Sequence, residues 1–391
     1  MSIPTGNPPK QVIIVGAGVV GTSTAYYLSH LFGISSTLVD PSGRIAPAAS
    51  GKAGGFLALD WNDHSVTGQL ARRSFALHQE LANTLGAEKL QYRRLTCAAI
   101  RVDPTAKPAR PSGKKLEFIE WANDGGSGAA ALGARPLGDE DTIAQVHPKK
   151  LCDALWEVVS KTKQEGGVGA TLVKGKVIGT TRDECGNLVG VKLDDGTIVE
   201  GDAVLFSAGP WTANVMTGIK YHSVIIPTDR TLSQCVFFSG AGDPEVYVRP
   251  DNTAYCCGFP DQSVKVMEEP GEEEVRPAAV QRIVEAVRAA TGGTETGGAL
   301  AADPELAQSC YLPSTTDGLP IMGRLSEQAG GGDGCFIAIG HGCWGILMGP
   351  ATGESMATLI ATGNDTDQVD LSLFTPSRFR NMRVLESLSQ K

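Results

Sequence analysis

The chain has 391 residues, too many for one simple core, which predicts two domains or one domain with a large insertion. Its composition, with 41% hydrophobic and 20% charged residues, is typical of a globular enzyme, and its net charge of −9 argues against nucleic acid or an anionic membrane surface as the main partner. The apolar stretches are too short or too rich in glycine to predict a membrane span, and residues 1–10 lack a secretory core. Nine cysteines without a CxxC pair or zinc spacing predict reduced thiols, no metal site and a cytoplasmic location.

The N-terminal residues have the pattern of a βαβ unit. The β-branched run Gln11–Val15 predicts a buried parallel strand. A glycine-rich turn at residues 16–21, a helix over residues 22–31 and a second strand over residues 36–39 follow, and Asp40 ends that strand. This order predicts the start of a doubly wound α/β sheet.

The turn in this unit carries a dinucleotide-binding fingerprint. The first glycine permits a tight turn, the second lets the backbone approach a pyrophosphate, and the third lets helix pack on strand. The pyrophosphate would meet the unpaired N–H groups at the helix start. Asp40, nineteen residues after the third glycine, would accept hydrogen bonds from the ribose hydroxyls. A glycine-rich turn in a plain doubly wound sheet is the alternative. The predicted cofactor residues here are Gly16, Gly18, Val19, Val20, Gly21 and Asp40.

Periodicity predicts the elements that follow. Helices are predicted over residues 62–85, 148–164, 272–290 and 344–362. Strands are predicted over residues 90–102, 234–238, 246–258 (turning at Asp251-Asn252) and 335–339, with a β-meander over residues 170–208. Residues 104–136, rich in Pro, Gly and Ala, are expected to form a surface insertion or lid, and residues from 291 onward a loop.

Three further segments favour FAD over NAD, which shares the fingerprint. Residues 49–55 could wrap the pyrophosphate side of an extended cofactor, and residues 204–211 form an apolar strand that ends in a turn of small residues. Residues 340–342 precede the last helix, whose N-terminus could stabilise the reduced flavin ring. The predicted cofactor residues in these segments are Ser50, Gly51, Lys52, Ala53, Gly54, Gly55, Ala208, Gly209, Trp211, Gly340, His341, Gly342, Gly345 and Ile346.

In this order, these blocks resemble the family of D-amino-acid oxidase, glycine oxidase and sarcosine oxidase. Further matching segments are Val146-His147-Pro148-Lys149, Tyr247-Val248-Arg249-Pro250 and Asp317-Gly318-Leu319-Pro320-Ile321-Met322-Gly323. The resemblance extends over residues 11–362, and the sequence of residues 50–56 resembles that of a poorly characterised eukaryotic branch of the family. It implies an α/β FAD domain of three segments, interleaved with an α+β substrate domain on an antiparallel sheet.

The resemblance also implies domain boundaries and a reaction. Residues 1–88, 146–222 and 308–365 would form the FAD domain, residues 89–145 and 223–307 the substrate domain, and residues 366–391 a C-terminal tail. Family members pass a hydride from the carbon bearing an amine to flavin N5, and O₂ commonly reoxidises the flavin. The alternatives are a dehydrogenase with another electron acceptor and a catalytically silent FAD-binding interaction protein.

Family positions that bind a substrate carboxylate are altered in this chain. Cys343-Trp344 stands where sarcosine oxidases place a Lys, and Leu312 stands where glycine oxidases place an Arg. A second Arg of glycine oxidases falls in the region of Cys343. A larger, less acidic amine is therefore expected, rather than a small α-amino acid held by its carboxylate. Lys52 and Arg249 remain as cations that could equally serve the structure.

Four residues are candidates for roles beside the flavin. Cys310, by its spacing from the Asp-Gly-Leu-Pro segment, resembles the cysteine that carries covalent flavin in monomeric sarcosine oxidases, although a buried apolar cysteine is favoured. His341 could touch flavin or substrate, and Trp344 could wall the substrate pocket. Lys265 falls where some family members place a lysine that assists oxygen. Each could instead serve only packing or the surface.

Overall fold

A computed structural model of the chain describes residues 8–103, 116–122, 130–240, 242–266, 268–291 and 297–385. Its helices are α1 (Val19–Phe32), α2 (Ala49–Lys52), α3 (Gly68–Leu85), α4 (Ala87–Leu90), α5 (Pro148–Gln164), α6 (Pro277–Thr291) and α7 (Gly345–Thr362). Its strands are β1 (Gln11–Val15), β2 (Ser35–Asp40), β3 (Phe56–Ala58), β4 (Arg93–Arg94), β5 (Thr96–Asp103), β6 (Ala130–Gly138), β7 (Ile143–Gln145), β8 (Ala170–Lys174), β9 (Val177–Arg182), β10 (Leu188–Leu193), β11 (Ile198–Glu200), β12 (Ala203–Phe206), β13 (Thr217–Pro227), β14 (Gln234–Ser239), β15 (Glu245–Val248), β16 (Thr253–Gly258), β17 (Ser263–Val264), β18 (Leu306–Ser314), β19 (Ile321–Arg324) and β20 (Cys335–Ile339).

The first sheet has the order β19-β20-β12-β1-β2-β8 and is parallel except for the edge strand β19. Side chains alternate along β1, so Val12 and Ile14 pack among α1, α3, α5 and α7. Ile13 and Val15 pack on the other face against the three-stranded sheet β9-β10-β11. Both faces are covered, which is why β1 is a continuous apolar run, and the predicted α/β class is confirmed.

The second large sheet has the order β17-β13-β16-β15-β14-β5-β6, and β18 pairs with residues 217–225 of β13 along its other edge. It is antiparallel except where β14 runs parallel to β5. The turn at Asp251-Asn252 joins β15 to β16 and sets Glu245 opposite Cys257 and Tyr247 opposite Tyr255. This register brings the polar groups of two strands to one face of the sheet.

Three sequence-based expectations need correction. Residues 170–208 do not form one meander, because β8 and β12 join the parallel sheet and only β9–β11 are an antiparallel meander. Residues beyond 291 are not all loop, because β18 pairs with β13 and β19 with β20. Of the predicted insertion over residues 104–136, residues 104–115 and 123–129 lie outside the described residues, and residues 130–136 are not an insertion, because they belong to β6, which pairs with β5.

The predicted domain boundaries can be compared with the strands that the structure places near them. The boundaries at residues 222 and 308 fall inside β13 and β18, which both belong to the second large sheet.

Over the described ranges, no helix combines the length and the apolar character that crossing a membrane requires.

Candidate functional site

A cavity of about 500 Å³ lies at the carboxyl ends of the parallel strands. The turns that follow β1, β2, β12 and β20 all line it, and the second large sheet forms its far wall. In open α/β sheets this edge is where ligands bind, because the strand ends and helix N-termini leave backbone groups unpaired there.

The turn after β1 has the geometry of a phosphate cradle. Gly16 has a φ of +107°, and a Cβ there would lie 2.7 Å from the Cα of Ala208. A Cβ at Gly21 would lie 2.1 Å from the carbonyl oxygen of Gly16, so α1 can pack this closely only with glycine there. Gly18 lines the cavity directly, and α1 begins at Val19 beside it. The three glycines therefore leave the backbone of this turn open toward the cavity, with only the Ser50 hydroxyl placed against it.

Ser50 and Asp40 bind backbone groups on either side of this cradle. The hydroxyl of Ser50 accepts a hydrogen bond from the Val19 N–H at 2.9 Å. One oxygen of the buried Asp40 carboxylate accepts from the Ala17 N–H at 3.2 Å, and the other accepts from the N–H and hydroxyl of Ser42 at 3.0 and 2.6 Å. Asp40 is thus held rigidly at the cavity edge, with acceptor capacity left for further donors.

The loop before α7 borders the cavity on the side of β20. Gly340 and Gly342 have φ values of +83° and +56°, and His341 between them is buried. The Nε2 atom of His341 lies 2.9 Å from the hydroxyl oxygen of Thr352. Burial lowers the pKa of His341 to about 4, so its ring is neutral at pH 7. The N-terminus of α7, at Gly345 and Ile346, also lines the cavity and supplies its positive dipole end.

Six aromatic residues form the part of the cavity that we call the aromatic chamber. They are Phe56, Trp61, Tyr221, Phe237, Tyr247 and Tyr255. Phe56 stacks on Tyr247 at 5.5 Å between ring centroids and meets Phe237 edge-on at 5.1 Å. The predicted wall residue Trp344 lines the cavity and packs edge-on against Trp61 at 6.2 Å. The rings are thus fixed by one another around the open space.

Glu245 adds a carboxylate to the aromatic chamber. It begins β15, lines the cavity and accepts a hydrogen bond from the Tyr247 hydroxyl. The Cys257 thiol lies 3.6 Å from the same carboxylate oxygen. Burial raises the pKa of the Glu245 carboxyl above its ordinary value. Sequence reasoning missed Glu245, although the Asp251-Asn252 turn already indicated which residues of the two strands face each other.

The structure brings most of the predicted site residues to one cavity. Those that line it are Gly16, Gly18, Val19, Val20, Asp40, Ser50, Ala53, Gly54, Gly55, Ala208, Gly209, Trp211, Cys310, Gly340, His341, Gly342, Trp344, Gly345 and Ile346. Four predicted residues do not. Gly21 packs behind the cradle, Gly51 and Lys52 border a separate surface depression, and Lys265 is exposed. Lys52 forms an ion pair with the buried Glu273, which neutralises its charge.

Comparison with known proteins decides which cofactor this site serves. A profile of the DAO family, described as FAD dependent oxidoreductase, matches residues 11–359. The chain belongs to this family of FAD-dependent oxidoreductases. An oxidoreductase of Schizosaccharomyces pombe is 30% identical to it over 398 residues, covering 93% of this chain and 97% of that relative. The predicted family and the predicted cofactor, FAD, are confirmed.

Solved structures of other proteins share the fold of this chain. Glycine oxidase from Geobacillus kaustophilus has a TM-score of 0.72 at 20% identity, with 96% of this chain and 100% of that one covered. L-proline dehydrogenase from P. horikoshii has a TM-score of 0.70 at 18% identity, with 96% and 98% covered. At these identities the likeness establishes the fold alone.

The geometry fits FAD at the cradle, and it bears on the covalent link through Cys310, which the family resemblance suggests and the sequence analysis does not favour. Cys310 lies on β18, lines the cavity and is buried, and burial raises the pKa of its thiol to about 12. Covalent attachment needs a nucleophilic thiolate, which this position disfavours. We therefore expect FAD to be released into the supernatant when the protein is precipitated with acid, and Cys310→Ser to leave the FAD content unchanged. Flavin colour retained in the wild-type pellet and lost in the variant would contradict this.

Proposed function

We propose that this FAD-dependent oxidoreductase oxidises the C–N bond of an amine and uses O₂ as electron acceptor. The observation that carries the proposal is the cavity itself, in which the phosphate cradle is continuous with an aromatic chamber that holds a carboxylate. When bound, FAD would supply the hydride acceptor, and the electrons would pass on to O₂ to give H₂O₂. The protein then needs to position the substrate carbon and exclude water more than it needs a strong base.

Each part of the cavity has an assignment in this proposal. The backbone N–H groups of Gly18 and Val20, with the Ser50 hydroxyl beside them, would hold the pyrophosphate, and Asp40 would accept hydrogen bonds from the ribose hydroxyls. The N-terminus of α7 would stabilise negative charge on the reduced ring. His341, neutral and bound to Thr352, would shape the flavin pocket and not act as an acid.

Anaerobic mixing with a panel of amines tests this proposal. We expect at least one primary or secondary amine to bleach the flavin absorbance of the holoenzyme, with the carbonyl product found in stoichiometric amount. If no amine bleaches the flavin, the catalytically silent alternative is favoured. That alternative is suggested by the altered carboxylate-binding positions at Leu312 and Cys343.

Admission of air to the amine-reduced enzyme distinguishes the two electron acceptors. An oxidase returns to the oxidised spectrum rapidly and forms one H₂O₂ per flavin. A reduced flavin that persists for minutes would identify a dehydrogenase, the alternative that keeps the amine chemistry but replaces O₂ with a quinone or protein acceptor. Oxygen reactivity depends on access to the flavin ring, so this measurement is made on the intact holoenzyme.

A further inference from the structure

Glu245 is the one charged side chain among the described residues that line the aromatic chamber. The Oε2 atom of Glu245 contacts the Tyr247 hydroxyl and the Cys257 thiol, which are both neutral donors. No Lys or Arg of the described residues forms an ion pair with it, and its Oε1 atom has no hydrogen-bond partner among those residues. A desolvated carboxylate in this position is unfavourable until a cation reaches it.

The other charged groups along the cavity are at its opposite end. Lys176 is the one Lys or Arg among the described residues that line it, and it stands beside Gly175, whose N–H binds the carbonyl of Asp40. Lys176 is itself paired with Glu269 at 3.0 Å. A carboxylate placed in the chamber would therefore face Glu245. The nearby cation Arg249 lies behind the Tyr255 ring, 5.7 Å from its centroid, and does not line the cavity.

The rings around Glu245 add a second means of binding a cation. Phe56, Phe237 and Tyr247 pack against one another, with centroid separations of 5.1 to 5.7 Å. Trp61 lies 5.3 Å from Phe237 and continues this wall toward Trp344. Aromatic faces attract ammonium groups through the ring quadrupole, and the effect grows when the cation is desolvated.

We infer that the aromatic chamber with Glu245 is the substrate subsite, and that it selects a cationic amine with an apolar body and no carboxylate. This inference rests on the proposed amine oxidation and narrows its substrate class. Glu245 is the specificity-determining residue, because it attracts the ammonium group and repels the carboxylate of an amino acid. The rings of Phe237, Tyr247 and Trp61 select for the apolar body and add to the attraction of the cation.

Binding without turnover tests this inference. Benzyltrimethylammonium has no lone pair on nitrogen and cannot give up a hydride to form a C=N bond, so calorimetry on oxidised holoenzyme at pH 8 measures affinity alone. We expect it to bind, and L-phenylalanine, which carries a similar ring and a carboxylate, to bind at least about tenfold more weakly. Glu245→Gln keeps an acceptor for the Tyr247 hydroxyl and is expected to lower the affinity for benzyltrimethylammonium about tenfold.

Glu184→Gln is the matched control, because Glu184 is exposed in the loop between β9 and β10. It should leave both affinities unchanged. Trp61→Leu removes one ring and leaves Glu245 unchanged. It should lower the affinity for the cation more than the affinity for benzyl alcohol, a neutral ligand. FAD content is measured for every variant, and Trp61→Leu carries the test if Glu245→Gln loses FAD.

The outcomes separate this inference from the proposed function. Equal binding of the cation to wild type and Glu245→Gln, or tighter binding of L-phenylalanine, would overturn the inference even if amines reduce the flavin. A chamber that binds the cation through Glu245 while no amine reduces the flavin would uphold the binding subsite and reject the oxidation. Failure of the cation to bind wild type at millimolar concentration would also overturn the inference.

Discussion

Replacing Gly18 with valine is expected to abolish FAD binding while the chain remains folded. Gly18 has extended backbone angles, φ −77° and ψ −172°, which valine adopts readily. Its Cβ would lie 3.0 Å from the Ser50 hydroxyl, which can rotate away, and the two methyl groups would fill the space where backbone and pyrophosphate would meet. We expect FAD affinity to fall by at least about 100-fold.

The ratio of flavin to protein absorbance after desalting measures this loss, and far-UV circular dichroism checks the fold. Gly179→Val is the matched control. Gly179 lies in β9, has an ordinary φ, and a Cβ there meets no atom within 4 Å, so valine should be tolerated in the strand. A Gly18→Val protein that keeps FAD at the wild-type ratio, as the control should, would refute the assignment of the cradle.

Local features of the fold could be predicted because neighbouring residues determine them. Helix α5 begins at Pro148, whose fixed φ suits the first turn of a helix. The helix covers the same residues that the sequence predicted. The apolar run of β20 and the glycines around His341 likewise predicted a strand, a tight loop and a helix start. In each case the chain segment contains its own stop or start signal.

The aromatic chamber could not be predicted in this way, because its residues come from distant strands. Phe56 and Trp61 precede α3, whereas Phe237 and Tyr247 lie on β14 and β15. Their meeting depends on the strand order of the second sheet, which no single segment encodes. β18 was missed for a related reason. Its buried residues do not alternate with exposed ones, since they are consecutive from Ser309 to Tyr311, and its pairing with β13 is long-range.

Acid is expected to destabilise the protein steeply between pH 6.5 and pH 4, because buried histidines are held neutral. Burial lowers the pKa values of His78, His147 and His341 from 6.5 to about 4. Below pH 6.5 the unfolded chain binds a proton at each of these positions and the folded chain does not, so the free energy of unfolding falls as pH falls. Each histidine contributes up to about 1.4 kcal/mol per pH unit in this window. Burial raises the pKa of Glu245, so the folded chain holds its proton more tightly than the unfolded chain does. Its contribution to the free energy of unfolding therefore rises as pH falls and offsets part of the slope from the histidines.

Urea unfolding of the FAD-saturated enzyme between pH 4.5 and pH 7.5 measures this slope, and His78→Gln isolates one contribution to it. The Nε2 atom of His78 lies 2.9 Å from the Ile346 carbonyl oxygen in the first turn of α7, where a glutamine amide can donate in its place. The variant should lose about 1.4 kcal/mol per pH unit of slope below pH 6.5. His64→Gln, at an exposed position, is the control and should retain the wild-type slope. If His78→Gln follows the wild-type curve instead, the buried ring is charged in the folded state, and α7 is not anchored by a neutral histidine at the end that lines the cavity.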